Sequence, residues 1–313
     1  MKDITRLIEE RKDKIVSVVQ AAGGNIPVIC AKGKSLPEAW ENSLLGLYAY
    51  GADIRTEYDR SDTKENIIDP PSKDCTMMMT VEDPMSDPFI HKAFPGGLDD
   101  LEEYRQEVLE GVKDHWVRNH ADPGDKRWEY TYHERLFNYR RDDGENGVDQ
   151  IEQVIKQLAG TSYTRRAQAI TWQPWKDAGI EDPPCLQSLW FRLMDGAEGE
   201  ERLNMNVRFR SRDAYDAAFM NCFALALLQE KIAEEVSRRT GRTILPGRYI
   251  DSSDSYHIYG RRTADFEERF LSQVHGRKFE ERTWTREFAE QIFAEARQKI
   301  KLKIARQDEK YSR

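Results

Sequence analysis

The chain has 313 residues, 33% charged and 39% hydrophobic, and 48 Lys and Arg against 56 Asp and Glu leave a net charge of −8. A chain this long buries a sizeable core without disulfides or metal staples, and no run approaches the ~20 apolar residues of a membrane span. The acidic balance argues against general nucleic-acid binding, and the N-terminal MKDITRLIEERKDKIVSVV lacks the apolar run of a secretory signal, so a cytoplasmic location is expected.

Residues 2–20 read as an exposed amphipathic helix ending near Gly23-Gly24-Asn25. Apolar positions at helical spacing, with Pro37 at the start, predict a helix over 36–49. The polar stretch 59–74, broken by Pro70-Pro71, reads as a loop, and the short β-prone run 75–81 as a strand. Met77, Met78 and Met79 within it suit packing better than metal ligation. A charged amphipathic helix is expected from Leu98 to about Val112, then a polar loop over 117–127 and an aromatic-rich segment over 128–139. A helix over 148–158 precedes three strands at 166–173, 186–194 and 203–211. A long helix follows at 214–239, then strand and loop over 245–260 and two charged helices in 263–313. No repeat and no low-complexity linker appears, so one α+β domain spanning 1–313 is expected. Within it, 1–127 and 261–313 flank a central stretch, 128–260, that holds the motifs described next.

The four cysteines, Cys30, Cys75, Cys185 and Cys222, form no CxxC pair and no Cys/His cluster at zinc spacing, so neither a disulfide framework nor a metal site is expected. Cys185 stands apart. It follows Pro183-Pro184 at the mouth of a predicted strand, where prolines remove donors and hold a thiol outside the regular ladder. A thiol becomes nucleophilic when nearby positive charge favours the thiolate. Arg208, Arg210 and Arg212 supply such charge; on a strand they share one face, with Ser211 opposite. With Arg165-Arg166 upstream, these residues suit a phosphate bound by forked, charge-assisted hydrogen bonds.

Asp149-Gln150-Ile151, Arg165-Arg166, Trp172, Pro184-Cys185, Arg210-Ser211-x-Asp213, Asn221 and His257-x-Tyr259, in that order and spacing, resemble the thymidylate synthase family, including its nucleotide hydroxymethylase relatives. The resemblance implies a large mixed β-sheet covered by helices and a sheet-to-sheet homodimer. It implies Cys185 as the nucleophile that adds to C6 of a pyrimidine nucleoside 5′-monophosphate. Arg210 and Ser211 would bind the phosphate, with Arg165 and Arg166 lent by the partner subunit and Arg55 as a further phosphate candidate. Asn221 would read the base, His257 and Tyr259 the sugar hydroxyl, and Asp213 the base or the folate. Glu103 and Glu107, i and i+4 on one helix face, are the acid/base candidates. His133, beside Tyr132 where the family places a loop tyrosine, is a candidate proton-handling residue, and Trp128 or Trp116 would cover the folate. The implied co-substrate is 5,10-methylenetetrahydrofolate, with no metal.

The sequence departs from the family at Leu186, where a His usually follows the nucleophile, and at Phe209, where a Gln usually precedes Arg-Ser. Residues 214–220 hold no glycine, and the terminal KIARQDEKYSR lacks the apolar tail that closes methylating members. Dry closure lets a hydride reach the exocyclic methylene; entry of water yields a 5-hydroxymethyl group instead. The reading therefore leans to a CMP, dCMP or dUMP hydroxymethylase, with methylation of dUMP to dTMP as the alternative. Asn221 leans toward uracil. A catalytically silent nucleotide-binding homologue is the second alternative. A nucleic-acid polymer and a membrane are both excluded as partners.

Overall fold

The computed structural model describes residues 3–63, 66–120, 122, 124–140 and 147–311. The chain falls into two compact units, each assembled from separated stretches: Met1–Pro95, Arg208–Cys222 and Tyr249–Arg286 in the first, and Gly96–Val207, Phe223–Arg248 and Glu287–Arg313 in the second. No helix among the described residues is long and apolar enough to cross a membrane.

The N-terminus departs from the expected helix. Only Thr5–Glu9 (α1) is helical, and Ile15–Val19 (β1) pairs antiparallel with Val28–Gly33 (β2), Ile15 opposite Ala31 and Val16 opposite Cys30. The β-branched run IVSVV fits a pleated surface better than a helix once a partner strand is present. Leu36–Tyr50 (α2) forms where expected, with Pro37 in its first turn, and is buried along most of its length. Its Trp40 indole donates to the Ala214 carbonyl at 2.9 Å, and its Ser43 hydroxyl lies 2.8 Å from that of Tyr256.

After Ala52–Ile54 (β3), the predicted loop contains a small hairpin of Ser61–Thr63 (β4) and Asn66–Ile67 (β5). Ser72–Val81 (β6) runs parallel to β2, and the short Ile90–His91 (β7) follows. Met77 and Met79 of β6 are core residues and Met78 is on the open face.

In the second unit, Leu98–Glu110 (α3) and Tyr132–Phe137 (α4) lead into Gln150–Gly160 (α5), which Asp149 caps by accepting from the Glu152 amide at 2.8 Å. The strand expected at 166–173 shortens to Gln168–Ile170 (β8), because Pro174 opens the one-turn Pro174–Asp177 (α6). Leu186–Asp195 (β9), Glu201–Asp213 (β10), Ala218–Thr240 (α7) and Ile244–Ile258 (β11) match the predicted elements to within a few residues. The strands of this unit run β8-β9-β10. β10 and β11 pass the unit boundary, and their later halves belong to the first unit, in which the order is β1-β2-β6-β11-β10 with β3 also on β6. The fold is therefore a mixed sheet with helices packed against it, as the sequence led us to expect.

The tail differs in detail. Thr263–Asp265 (α8), a π-helical Phe266–Leu271 and Ser272–Gly276 (α9) make one broken helical stretch; Thr283–Trp284 (β12) pairs with β7, and Arg286–Tyr311 (α10) is the one long helix. All four cysteines are free thiols.

Candidate active site

Two sets of predicted residues assemble, one in each unit. In the second unit, Cys185 sits half-buried at the bend that opens β9, preceded by a buried Pro184. The Leu186 amide donates to the Tyr132 hydroxyl at 3.3 Å, and the Thr171 hydroxyl donates to the Leu186 carbonyl. The thiol is thus held at a strand mouth by bonds to the residue after it. Tyr130 packs its ring 5.7 Å from Tyr132. Burial pushes the Tyr130 phenol well above its ordinary value, with Tyr132, Cys185, Asp182 and Tyr104 adding negative charge around it. The Leu186 side chain, where the family carries a histidine, is apolar and fully buried.

Glu103 and Glu107 are not the solvated carboxylates that helix spacing alone suggests. Glu103 lies 2.8 Å from Lys113 and 2.6 Å from Lys303; Glu107 lies 3.0 Å from Lys113. Burial opposes ionisation of both. For Glu103 the hydrogen bonds from the two lysines win and hold its carboxyl below the ordinary range; for Glu107 burial wins and the carboxyl rises. Lys113 also lies over the rings of Trp128 and Trp116, at 5.5 and 5.9 Å. Trp128 is half-buried and Trp116 fully so, the two meeting edge to face at 5.5 Å. Of the two indoles, Trp128 is the more accessible and Trp116 is a core residue.

His133 is engaged. Its Nδ1 lies 2.6 Å from Asp114, its ring stacks on Phe137 at 4.3 Å, and Asp114 also accepts from the Thr131 hydroxyl at 2.5 Å. Room for the imidazole comes from Gly111, which ends α3 at φ 64 and whose Cβ, were it present, would lie 2.3 Å from His133 Nδ1. The left-handed conformation and the close approach both require glycine. Arg165 and Arg166 are exposed in the loop before β8 and line a surface depression of ≈ 830 Å³ with Lys156, Thr161 and Tyr163. Neither makes an ion pair among the described residues.

In the first unit, the ends of β10 and β11 lie together, the Ala214 amide donating to the His257 carbonyl at 2.8 Å. Arg210 and Ser211 are half-buried on β10, and Asn221 is half-buried in the first turn of α7. The expected common face of three arginines is broken. Arg208 is exposed and pairs with Asp254 at 3.1 Å, whereas Arg212 is buried, 3.1 Å from Asp251. Arg212 lies over the buried Phe209 ring and donates to the Ala218 carbonyl at 3.1 Å and the Cys222 thiol at 2.9 Å. Arg212 therefore fastens the start of α7, and with it Asn221, to β10. Desolvation of a guanidinium is tolerated only with such partners.

Asp213 accepts from the amides of Tyr215 and Asp216 at 3.1 and 2.8 Å, yet burial pushes its carboxyl up to about 6. His257 is buried, 3.3 Å from the Ser255 hydroxyl, which itself donates to Asp74 at 2.8 Å. Because that hydroxyl proton is committed, His257 Nδ1–H must donate to Ser255 and Nε2 is left as an acceptor. Nε2 is buried and has no hydrogen-bond partner among the described residues. Burial lowers the imidazole's proton affinity and keeps it neutral, against the pull of Asp74. Tyr259 packs 4.6 Å from the His257 ring. Arg55 is turned into its own loop, donating to the Asp69 carbonyl at 2.7 Å and lying 3.3 Å from Asp59, which weakens it as a phosphate ligand. Among the described residues no cluster of three or more His, Cys, Asp or Glu side chains is placed to hold a metal ion.

Sequence reading missed Tyr104, Tyr130, Lys113 and Asp114. The aromatic density of 128–139 was the available signal for Tyr130; the two charged residues carried none.

Residues 99–311 match the family model described as Thymidylate synthase. A protein of Methanococcoides burtonii named "Putative thymidylate synthase" is 31% identical over 228 residues, covering 73% of this chain and 88% of the relative. One of the same name from Methanocaldococcus jannaschii is 27% identical over 256 residues, covering 79% and 97%. Among solved structures, thermostable thymidylate synthase A from Bacillus subtilis superposes with a TM-score of 0.54 at 17% identity, over 76% of this chain and 84% of that one. That likeness is one of fold.

Proposed function

The chain belongs to the thymidylate synthase family, and on that premise we propose that it catalyses folate-dependent one-carbon transfer to C5 of a pyrimidine nucleoside 5′-monophosphate. The observation that carries the proposal is Cys185, half-exposed at the mouth of β9 with Tyr132 bonded to the next amide. In this reading the Cys185 thiolate adds to C6, making C5 a carbon nucleophile. 5,10-Methylenetetrahydrofolate, with Trp128 against its ring, supplies the one-carbon unit. Glu107 and its neighbours exchange the proton that leaves C5 and protonate oxygen as charge develops. Arg210 and Ser211 hold the phosphate, Asn221 the base edge, and His257 Nε2 with Tyr259 a sugar hydroxyl. Asp213 contacts base or folate.

We propose 5-hydroxymethylation as the product: residues 301–311 of α10 are mostly charged or polar, and a segment of that character does not close a site against water. Methylation is the second reading, favoured by the names of the archaeal relatives. Incubation with methylenetetrahydrofolate and each of CMP, dCMP, UMP and dUMP, read by mass spectrometry, decides: dihydrofolate formed with a methylated nucleotide selects methylation, and a 5-hydroxymethyl product without dihydrofolate selects hydroxymethylation. No C5 hydrogen exchange on any of the four overturns the activity.

A homodimer in which Arg165 and Arg166 serve the partner's phosphate site is part of the proposal; their exposure, with no ion pair among the described residues, supports it. Mixing inactive Cys185→Ala and Arg166→Ala chains should restore activity in the hybrid, and no recovery would place each site within one chain.

A further inference from the structure

Lys113 lies just past the α3 cap, and its side chain folds back onto the helix. It is 8% exposed, with Nζ 2.8 Å from Glu103 and 3.0 Å from Glu107. The two glutamates do not share cations equally. Glu103 has a second ammonium, Lys303 of α10, at 2.6 Å. Among the described residues Glu107 has Lys113 as its one cationic partner, and the negative Glu103 and Asp114 both act against its ionisation. The groups facing the pair are therefore Lys113 and Asp114 from the turn after α3, with His133 of α4 on Asp114, and Lys303 from α10. Trp128 and Trp116 shield the ammonium from water. Two carboxylates this close cannot ionise with equal ease unless a cation is shared evenly between them.

We propose that Lys113 is the positioning residue of the proton-transfer step, making Glu103 a permanent anion and Glu107 the proton carrier. The inference rests on the activity proposed above. When Glu107 gives its proton to the substrate oxygen where negative charge develops, the new carboxylate meets an ammonium already in place. No solvent reorganisation is needed to receive the charge, which is the advantage of a preorganised site. When the proton returns, Lys113 keeps its bond to Glu103.

The test uses full-length protein labelled with carboxyl-13C glutamate, the two resonances assigned with Glu103→Gln and Glu107→Gln. In the wild type Glu103 should titrate below Glu107, by about 1 pH unit or more; the reverse order overturns the proposal without any variant. In Lys113→Met both carboxyls should titrate higher, and kcat for C5 hydrogen exchange, from whichever of CMP, dCMP, UMP and dUMP the wild type accepts, should fall ~100-fold with KM within ~3-fold. Lys113→Arg, which keeps the charge, should restore the order and most of kcat. A folded Lys113→Met protein with unmoved titrations and unchanged kcat overturns the assignment. The two readings fail separately. Titrations controlled by Lys113 in a protein that exchanges no C5 hydrogen overturn the activity and leave the electrostatic assignment standing; exchange with titrations indifferent to Lys113 does the reverse.

Discussion

Two buried carboxylate clusters, one in each unit, both pair glutamate with basic side chains and behave oppositely. In the first unit Glu41 of α2 is met by Arg282 at 2.6 Å, His91 at 3.0 Å and Arg11 at 3.0 Å. Burial alone would raise its carboxyl, but His91 and Arg282 outweigh burial and hold it at about 2. His91 accepts the Ala93 amide on Nδ1, so it meets Glu41 as a neutral donor through Nε2. In the second unit Glu103 and Glu107 divide a smaller supply of positive charge, and Glu107 is left with a raised carboxyl. A carboxylate with more partners than it needs is a structural rivet. One with too few is poised to exchange a proton.

The largest effect that separates the two comes from the Cys185 thiol in the same unit as the second cluster. Cys185→Ala should lower C5 hydrogen exchange by ~10⁴-fold or more while leaving the melting temperature nearly unchanged, because the side chain is half-exposed. A large loss of stability instead would make Cys185 a packing residue. Glu107→Gln should lower kcat by about 100- to 1,000-fold without unfolding the chain; unaltered kcat would remove Glu107 from the chemistry. Glu41→Gln should do the opposite. It leaves the buried Arg282 and the half-buried Arg11 with half their partner gone, so stability should fall by about 3–5 kcal/mol, with kcat of the folded fraction within ~2-fold. Denaturant midpoints and rates on the same samples decide between rivet and reagent.

pH sharpens the contrast with smaller effects. Glu41's folded-state carboxyl lies below its unfolded value, so its contribution is fully present above about 4.5 and is lost as pH falls toward about 2. Asp213 has the reverse sign. Its carboxyl is raised to about 6, so the folded state loses stability as pH rises from about 4 through about 6. Asp213→Asn should flatten the stability curve in that window while Glu41→Gln flattens it only in the acid range; a melting curve against pH for each variant tests both signs.

How much of this was legible beforehand differs from residue to residue. Leu36 to Tyr50 has its proline in the first turn and apolar residues at helical spacing, and it folds as the pattern predicts. Ile15 to Val19 carries an equally local signal, its β-branched run, but lies within a charged helical-looking stretch, and only pairing with β2 decides between the two. Arg208, Arg210 and Arg212 share parity along a strand. Parity places alternate residues on one face, but it cannot foresee that the burial alternation shifts at 210–212 within β10 and leaves Arg212 buried over Phe209 and beside Asp251.

Sequence by itself therefore determined the family and most of the order of elements from α5 to β11, because both are written in residue identity and spacing along the chain. It placed Cys185 before a strand and Asn221 near a helix start for the same reason. Tertiary structure alone decided which charges are active. Glu103 meets Lys303 across 200 residues of chain, and Glu107, one turn away on the same helix, does not. Protonation depends on burial and on partners brought from elsewhere in the fold, and neither quantity is a property of local sequence.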